Sequence, residues 1–474
     1  MTTAKIPEIL APAGNREKCA TALLYGADAV FLGGLTNNLR AAAQGFGQDD
    51  LVFAVQEARK YKARINYCLN SLPLPRDMPL LPAQIEQAAE AGVNAFIVAD
   101  PGIFRLVQRY APKTAIHIST QMNTTNAEAL AFWHGLGAKR VNLARELTSR
   151  DIHALCNEVA RTMPDLELEV FTHGAMCLAV SGQCLLSAWV NERSANQGRC
   201  TQPCRFEYKA MPPDLPPPSS PCRMASPDCT AEAEILVEER IRSQEAHAAA
   251  TTGEIQTATD QSPPPLWGVR AGGSHGEQGY SSLWATDDLC LLPFLPWLAG
   301  HGIAACKIEG RMKGAAYVAH VTDVYKTAMN AIAAKAPFGY KDYLPELFAT
   351  ASRNLTTGFF LPHTRRCLSL EAGAKRVAGR GPGLHTLAAR VSGPDNTDGT
   401  AFIVEIRGQW QAASTMEAML PGLARPRVQP SFYSIESLQG ASLSVVNPGQ
   451  RVRLVFHGQP LPLREGIFIR TVLE

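Results

Sequence analysis

Four cysteines in one short segment are the residues of this chain best suited to chemistry. They are Cys177, Cys184, Cys200 and Cys204, and their spacing is Cys-x6-Cys-x15-Cys-x3-Cys. Four thiolates gathered at one end of a fold are the usual ligands of an iron–sulfur cluster or of a structural zinc ion. The segment therefore predicts a metal centre, and a redox-active cluster would make the protein an enzyme rather than a scaffold.

The spacing of these cysteines favours an iron–sulfur cluster over zinc. Zinc sites usually take cysteines in pairs separated by two to four residues, and only Cys200 and Cys204 meet that condition. The wider spacing of Cys177 and Cys184 suits the separated corners of a cluster. The chain has no CxxxCxxC run, which argues against radical-SAM chemistry. Buried structural thiols are the third interpretation, but four in one glycine-rich polar segment are unexpected.

Composition bounds the class of protein. The chain has 474 residues, of which 46% are hydrophobic and 19% charged, so we expect a globular protein of two or three domains. The opening MTTAKIPEIL lacks the basic and apolar regions of a signal peptide, and no apolar run is long enough to cross a membrane. We therefore expect a cytoplasmic protein without a membrane partner. A net charge of +2 means that nucleic-acid binding would need a local basic patch.

The elements that would position the cysteines alternate between short apolar strands and amphipathic helices over residues 5–200. The strands are EILAPAGN, DAVFLGG, ARINYCLN, AFIVADPG, AIHISTQMN, RVNLAREL and LEVFTHGA, with AACKIEGR near 304–311 as an eighth. Such alternation predicts parallel strands with right-handed crossovers. Polar or glycine residues end nearly every strand, which favours a (β/α)8 barrel with one common mouth over an open doubly wound sheet.

Composition shifts divide the rest of the chain. Residues 1–209 form the first part of the barrel, and 210–280 form a Pro-rich, partly disordered insertion, in which Cys222 and Cys229 are interpreted as incidental thiols. Residues 281–384 hold the last barrel strand and its helices. Residues 385–474 read as short strands and turns, including Asn447-Pro448-Gly449, and predict a small C-terminal β-barrel domain.

Three motifs resemble those of the U32 peptidase family: EVFTHGAMCLAVSGQCLLS, NQGRCTQPCR and KIEGRMK. The opening LAPAGNREKCATALLYGADAVFLGG is also similar, and the likeness covers most of residues 5–365. Within the family, NQGRCTQPCRFEY, KIEGRMK and the C-terminal β segment are most similar to the subgroup of tRNA hydroxylation proteins.

The resemblance implies oxygen-independent hydroxylation of the wobble uridine of tRNA to 5-hydroxyuridine, with prephenate as the oxygen source. It implies a [4Fe–4S] cluster on Cys177, Cys184, Cys200 and Cys204, with Cys290 in reserve because some relatives draw a ligand from its region. Relatives also hydroxylate ribosomal RNA or a quinone ring, and the label of a collagenase-like peptidase is historical. The alternatives are therefore a U32-type peptidase or a hydroxylase of another RNA or of a quinone. The electron donor is not predicted.

Polar residues at the strand ends are the candidate site residues beside the cysteines. His173 follows the seventh strand and is a candidate for moving a proton or donating to a cluster sulfur, although a packed histidine is equally expected. Lys307, Glu309 and Arg311 leave the last strand and could orient a small anion such as prephenate, or form an ordinary ion-pair network. The candidates for binding the base are Asn70, Gln121, Asn123, Arg145 and Glu146.

Basic residues near the cysteines provide a candidate surface for tRNA phosphates, which need cations close to the splayed-out base. They are Arg193, Arg199 and Arg205, together with Arg365, Arg366, Lys375, Arg376 and Arg380 further along the chain. A protease is disfavoured because the chain has no HExxH motif. A non-catalytic RNA-binding protein is disfavoured by the polar residues on nearly every strand end.

Overall fold

The computed structural model describes residues 6–39, 44–205, 208–209, 280–281, 286–351, 353–361, 367–368, 385–396 and 399–472. The chain forms two compact units, of which the first comprises Met1–Thr201 with Thr286–Glu474 and the second Gln202–Ala285. Apart from its last residue, the predicted insertion at 210–280 lies outside the described residues, as do Cys222 and Cys229. Among the helices that are described, none has the length and apolarity needed to cross a membrane.

Eight parallel strands close into a barrel in the first unit. The first seven are β1 (Glu8–Pro12), β2 (Ala29–Gly33), β3 (Arg64–Leu69), β4 (Ala95–Val98), β5 (Ala115–Ile118), β6 (Arg140–Asn142) and β7 (Glu167–Ala175). Next come β8 (Tyr208–Lys209) and β9 (Tyr280–Ser281), an antiparallel pair in the second unit, then β10 (Asp288–Cys290) and β11 (Ala305–Ile308). Strand β11 pairs in parallel with both β1 and β7, which closes the barrel. The predicted (β/α)8 barrel is confirmed.

Helices follow the strands on the outside of the barrel. They are α1 (Arg16–Leu24), α2 (Gln48–Lys60), α3 (Leu81–Ala91), α4 (Pro101–Tyr110), α5 (Ala127–Gly135), α6 (Ser149–Thr162), α7 (Leu186–Asn191), α8 (Leu295–Gly300), α9 (Ala315–Ala333) and α10 (Tyr340–Thr350). Some polar residues that end strands serve these helices as N-caps. Asn15 caps α1 and Asp100 caps α4, each through a side-chain oxygen that accepts a backbone N–H. At these two positions the polar residue marks the start of a helix and does not indicate substrate binding.

The C-terminal part consists of β-strands, as predicted, and the main sheet that they form is antiparallel. Short strands β12 (Leu355–Thr356) and β13 (Cys367–Leu368) extend the barrel sheet beyond β10. They are followed by β14 (His385–Pro394), β15 (Ala401–Ile406), β16 (Trp410–Gln411), β17 (Met416–Met419), β18 (Arg427–Val428), β19 (Tyr433–Glu436), β20 (Val445–Val446), β21 (Arg451–Phe456) and β22 (Phe468–Val472). Seven of these form one sheet in the order β18-β17-β22-β14-β15-β21-β19. The segment between β15 and β20 adds strands that the sequence pattern did not indicate.

Helices α1 and α9 attach this sheet to the barrel. The hydroxyl of Tyr25 donates to the carbonyl of Met419 over 2.7 Å, and Leu24, Tyr25 and Ala319 share an apolar core with the sheet. The buried carboxylate of Asp323 accepts hydrogen bonds from the backbone of Gly422 and from Arg425. Buried apolar and ionic contacts therefore join barrel and sheet within one compact unit.

Candidate active site at the carboxyl end of the barrel

Two arginines stack on two aromatic rings at the carboxyl ends of the barrel strands. The Arg311 guanidinium lies 6.0 Å from the centre of the Phe31 ring on β2, and that of Arg145 lies 4.1 Å from the Phe171 ring on β7. Arg311 is 4% exposed, and Arg145 also donates to the carbonyl of Ala175 over 3.1 Å. Guanidinium groups held in this way are pre-organised to receive carboxylate or phosphate. Two guanidinium groups thus lie at the mouth.

A glycine on β2 makes room for Arg311. A Cβ atom at Gly33 would lie 2.6 Å from the Arg311 guanidinium and 2.7 Å from Cγ of Asn38. The Arg311 carbonyl meanwhile accepts a hydrogen bond from Lys18 Nζ over 3.1 Å. The position of this arginine is therefore fixed both by its backbone and by the absence of a side chain opposite it.

Two amides at the mouth keep buried oxygen atoms without a hydrogen-bond partner. They are Oε1 of Gln121, a residue only 6% exposed, and Oδ1 of Asn123, whose backbone has a φ of +51°. Both follow β5, in the short turn Thr120–Met122 and its cap. A buried acceptor without a partner costs free energy unless a ligand or water satisfies it. Gln121 and Asn123 thus lie where a substrate N–H could be bound.

The remaining candidates have partners within the protein. The Oδ1 atom of Asn70 accepts a long bond from Leu39 N–H at 3.4 Å, and both carboxylate oxygens of Glu146 accept hydrogen bonds from Ser181. Glu309 is half-buried; its carbonyl accepts from the Tyr317 hydroxyl over 3.1 Å. Within the described residues these three follow their strands as expected, but their contacts are largely internal.

The four predicted cluster cysteines are at least partly accessible. Cys200 is exposed, and Cys177, Cys184 and Cys204 are half-buried. Cys204 belongs to the second unit and the other three to the first. Within the described residues, no three His, Cys, Asp or Glu side chains stand where they could hold a metal ion. Thiolates are the ligands that an iron–sulfur cluster takes, and none of the four thiols is fully buried.

Five further cysteines are buried in the core: Cys19, Cys68, Cys156, Cys290 and Cys306. Burial raises the pKa of the Cys19 thiol to about 12 and that of Cys156 to about 11. It also raises the pKa of Cys290, the reserve ligand, to about 11, and the Tyr325 hydroxyl lies 3.7 Å from its sulfur. In the protein without metal, burial therefore favours the protonated form of these thiols.

His173 lies inside β7 rather than after it. Strand β10 pairs antiparallel with the end of β7 and places Cys290 opposite His173, so the strand continues to Ala175. The ring packs edge-on against Tyr325 of α9 at a centroid distance of 5.4 Å, and its Nδ1 lies 3.4 Å from the Tyr325 hydroxyl. Burial, and then the charge of Lys313, lower its pKa to about 3. The imidazole is therefore neutral at physiological pH and packed against a helix.

The buried imidazole predicts a pH-dependent stability. Between pH 6.5 and 3 the unfolded chain binds a proton at His173 that the folded chain does not, so the free energy of unfolding falls as the pH falls. His173→Phe is expected to reduce this loss by up to about 1.4 kcal/mol per pH unit. Urea unfolding between pH 7 and 4 measures it. The matched control is His153→Phe, which removes an exposed histidine of α6; identical slopes for wild type and His173→Phe would contradict the prediction.

Lys307 also lies within its strand and points into the barrel. Its Nζ is 2.8 Å from the buried carboxylate of Glu169 and 4.6 Å from the centre of the Phe31 ring, and the residue is 4% exposed. Glu169 also pairs with Arg140, at 3.4 Å, and Arg140 in turn pairs with Glu8. Lys307 thus belongs to an ion network in the barrel interior, beneath the two stacked arginines. The alternation of side chains along β11 places it there.

Removing the Lys307 amine is expected to destabilise the barrel. In Lys307→Ala, the buried carboxylate of Glu169 would keep only its longer ion pair, with Arg140. Breaking a buried ion pair costs about 3 kcal/mol. The midpoint of urea unfolding, followed by circular dichroism, measures the loss. Lys139→Ala, which removes an exposed lysine 3.6 Å from Asp165, is the matched control and should change the midpoint little. Equal midpoints for the two variants would show that the network does not depend on Lys307.

The residues missed in the sequence are those that support the cations. Along β2, β6 and β7, inward-facing residues alternate with outward-facing ones. The inward-facing residues include Phe31, Arg140, Glu169 and Phe171, for which the sequence pattern predicts only a place in a strand. The alternation of Glu169 and Phe171 with apolar residues in LEVF was an available signal, because inward positions of a barrel strand recur every second residue.

Among the predicted phosphate contacts, Arg193 and Arg199 are exposed in the segment that holds the first three cysteines. Arg205 is half-buried in the second unit. Arg365, Arg366, Lys375, Arg376 and Arg380 lie outside the described residues. The described part of the predicted RNA surface is therefore limited to the arginines of the cysteine segment.

Comparison with known proteins identifies the family. The model of peptidase family U32 matches residues 14–369. The tRNA hydroxylation protein P1 of Bacillus subtilis is 34% identical over 359 residues, which cover 75% of this chain and 71% of that protein. The 23S rRNA 5-hydroxycytidine C2501 synthase of Escherichia coli is 30% identical over 76% of this chain and 43% of its own length. A collagenase of Porphyromonas gingivalis is 33% identical over 44% of this chain and 51% of its own. The chain belongs to peptidase family U32, and the resemblance predicted from its motifs is confirmed.

Proposed function

We propose that this protein is an RNA hydroxylase that converts the wobble uridine of tRNA to 5-hydroxyuridine without molecular oxygen. The observation that supports it best is the pair of guanidinium groups stacked over Phe31 and Phe171, beside the unpartnered amide oxygens of Gln121 and Asn123. Relatives that cover three quarters of the chain are named for hydroxylation of tRNA and of ribosomal RNA. The collagenase covers less than half of it.

The two arginines suit a small anionic co-substrate. Arg311 and Arg145 would bind its carboxylate groups through charge-assisted hydrogen bonds, with a dicarboxylate such as prephenate as the oxygen source. Their rings, Phe31 and Phe171, keep the guanidinium groups in place and exclude water from one side. Lys307 lies deeper in the barrel and pairs with Glu169, so the two guanidinium groups are the cations proposed to meet the co-substrate.

The amides suit the uracil edge. A uridine that leaves its stack presents an N3–H donor between two carbonyl acceptors. The Oε1 atom of Gln121 would accept the N3–H, and its Nε2 would donate to a uracil oxygen, which satisfies the buried acceptor. Asn123 offers the same pair of groups on the next turn of the loop. A cytosine, whose N3 is an acceptor, would leave the Oε1 of Gln121 without a donor unless the amide turned over.

The cofactor in this proposal is a [4Fe–4S] cluster held by Cys177, Cys184, Cys200 and Cys204. When bound, such a cluster supplies one-electron redox chemistry beside the mouth. The protein residues hold the anion and the base in place. The peptidase alternative lacks comparable support, since the described barrel mouth presents cations and amides rather than a nucleophile with its base.

Nucleoside analysis tests the proposal. The chain is expressed in a bacterial strain that lacks its own tRNA-hydroxylating proteins, and digested tRNA and rRNA are analysed by mass spectrometry. We expect 5-hydroxyuridine or its derivatives in tRNA from cells with the wild-type chain, and none with an empty vector. Hydroxycytidine in rRNA with unmodified tRNA would replace the proposed substrate by another RNA. Cleavage of gelatin by the purified chain with unmodified RNA would favour the peptidase.

A further inference from the structure

Glu146 binds the loop that lies between the first two cysteines. Its Oε1 accepts the backbone N–H of Ser181 over 2.6 Å, and its Oε2 accepts the Ser181 hydroxyl over 3.0 Å. Glu146 follows β6 at the barrel mouth, whereas Ser181 lies between Cys177 and Cys184 and is 1% exposed. A carboxylate that accepts two hydrogen bonds from one residue fixes that residue in both position and orientation.

Ser181 has a backbone conformation that needs such support. Its φ is +45°, in the left-handed region that side chains other than glycine, asparagine and aspartate rarely adopt. A strained residue persists only where its surroundings hold it. The two hydrogen bonds to Glu146 hold Ser181 in this conformation.

The same loop is tied to the mouth at two further points. The side-chain amide of Gln183 donates to the carbonyl of Gln121 over 2.6 Å. The side-chain oxygen of Asn196 accepts the N–H of Cys184 over 3.1 Å, and its carbonyl accepts the N–H of Leu72, after β3, over 2.8 Å. The cysteine loop is thus fastened to the chain after β3, β5 and β6, and none of these bonds uses a thiol.

We infer that Glu146 is a positioning residue for the loop from Cys177 to Cys184, and not a group that binds the base. Both of its oxygens are engaged by Ser181, so it fixes where the two thiols stand relative to the substrate-facing residues of the mouth. The inference rests on the proposed function only in assuming that these thiols bind a cluster. The position of the loop can be measured in the metal-free chain.

The test measures how accessible the two thiols are in the metal-free chain. Wild type, Glu146→Ala, Glu146→Gln, Ser181→Ala and Ser181→Gly are treated briefly with iodoacetamide, and the alkylation rate of each cysteine is read by peptide mass spectrometry. Glu146→Ala should raise the rates at Cys177 and Cys184 at least about fivefold, because the loop opens locally. Glu146→Gln should be milder, since its amide oxygen can still accept the Ser181 N–H.

The serine variants separate the hydroxyl from the backbone strain. Ser181→Gly loses the hydroxyl but adopts a φ of +45° freely and keeps its N–H, so it should be milder than Ser181→Ala. The matched control is Glu158→Ala, which removes a carboxylate of α6 that is paired with the exposed Arg161 and should leave both rates unchanged.

Two outcomes would overturn the inference. One is that Cys177 and Cys184 in Glu146→Ala are alkylated as slowly as in the wild type. The other is an equal rise at the buried Cys156 with a lower melting temperature, which would mean general destabilisation. A second measurement, iron release to a chelator after anaerobic reconstitution, should be faster in Glu146→Ala than in wild type. If wild type takes up no iron at all, the proposed cofactor fails, and the alkylation rates still decide the role of Glu146.

Discussion

Arg311→Ala is expected to lower 5-hydroxyuridine in tRNA by about 100-fold while leaving the bound iron unchanged. Truncating one partner of a buried, charge-assisted contact costs about 2–5 kcal/mol, and each 1.4 kcal/mol is about a factor of ten. Arg311 lies in the mouth and is not a cluster ligand. Its replacement should therefore weaken binding of the anionic co-substrate alone. Nucleoside mass spectrometry and iron analysis on the same preparations measure both quantities.

Three further variants test the role of the Arg311 guanidinium group. Arg311→Lys keeps the charge but not the planar fork, so its activity should lie between those of wild type and Arg311→Ala. Gly33→Ala places a Cβ 2.6 Å from the guanidinium and should lower activity by displacing it. Arg150→Ala, on the exposed surface of α6, is the matched control. Normal modification in Arg311→Ala would remove this residue from the active site.

Replacing any one of Cys177, Cys184, Cys200 or Cys204 by alanine is expected to remove most of the bound iron. Wild type should hold about four iron atoms per chain after anaerobic reconstitution, and each variant fewer than about one, since each substitution removes one of the thiolates that anchor the cluster. Iron is measured chemically, together with the broad visible absorbance that zinc does not give. The chain should remain soluble, because these thiols lie outside the apolar core.

The buried cysteines supply the controls for this series. Cys156→Ala should keep its iron, since burial holds that thiol protonated within α6. Cys290→Ala decides whether the reserve ligand takes part: iron is retained if Cys204 is the fourth ligand and lost if Cys290 replaces it. Full iron in all four variants of the main series, or zinc alone in the wild type, would refute the proposed cluster.

The barrel was predictable because its signal is local. Each strand is a short apolar run, each helix has an apolar face, and the order of the two fixes the handedness of the crossovers. The mouth residues after β5 and β6 followed directly, since Gln121, Asn123 and Arg145 stand at strand ends. Two of the polar strand ends, Asn15 and Asp100, instead cap helices, because the start of a helix selects the same residue types as a binding site.

The placement of His173 and Lys307 could not be predicted, because it depends on contacts distant in sequence. The antiparallel strand β10, from beyond the insertion, extends β7 past His173. Lys307 is drawn into the barrel by Glu169, which precedes it by 138 residues. The Glu146–Ser181 contact is likewise tertiary. A single sequence shows the types of residue at a strand end, but not which of them a distant segment will bind.

The closing strand has a consequence for how the protein is made. Glu8 pairs with Ala305, so the first and last barrel strands meet only after the whole second unit has been translated. At the usual rate of protein synthesis, β11 leaves the ribosome on the order of ten seconds after β7. During that interval β1 and β7 lack the strand that pairs with both of them in the folded barrel, and the cysteine segment has already been synthesised. Correct folding therefore requires that β1 and β7 do not pair with strands of other chains before β11 has been synthesised.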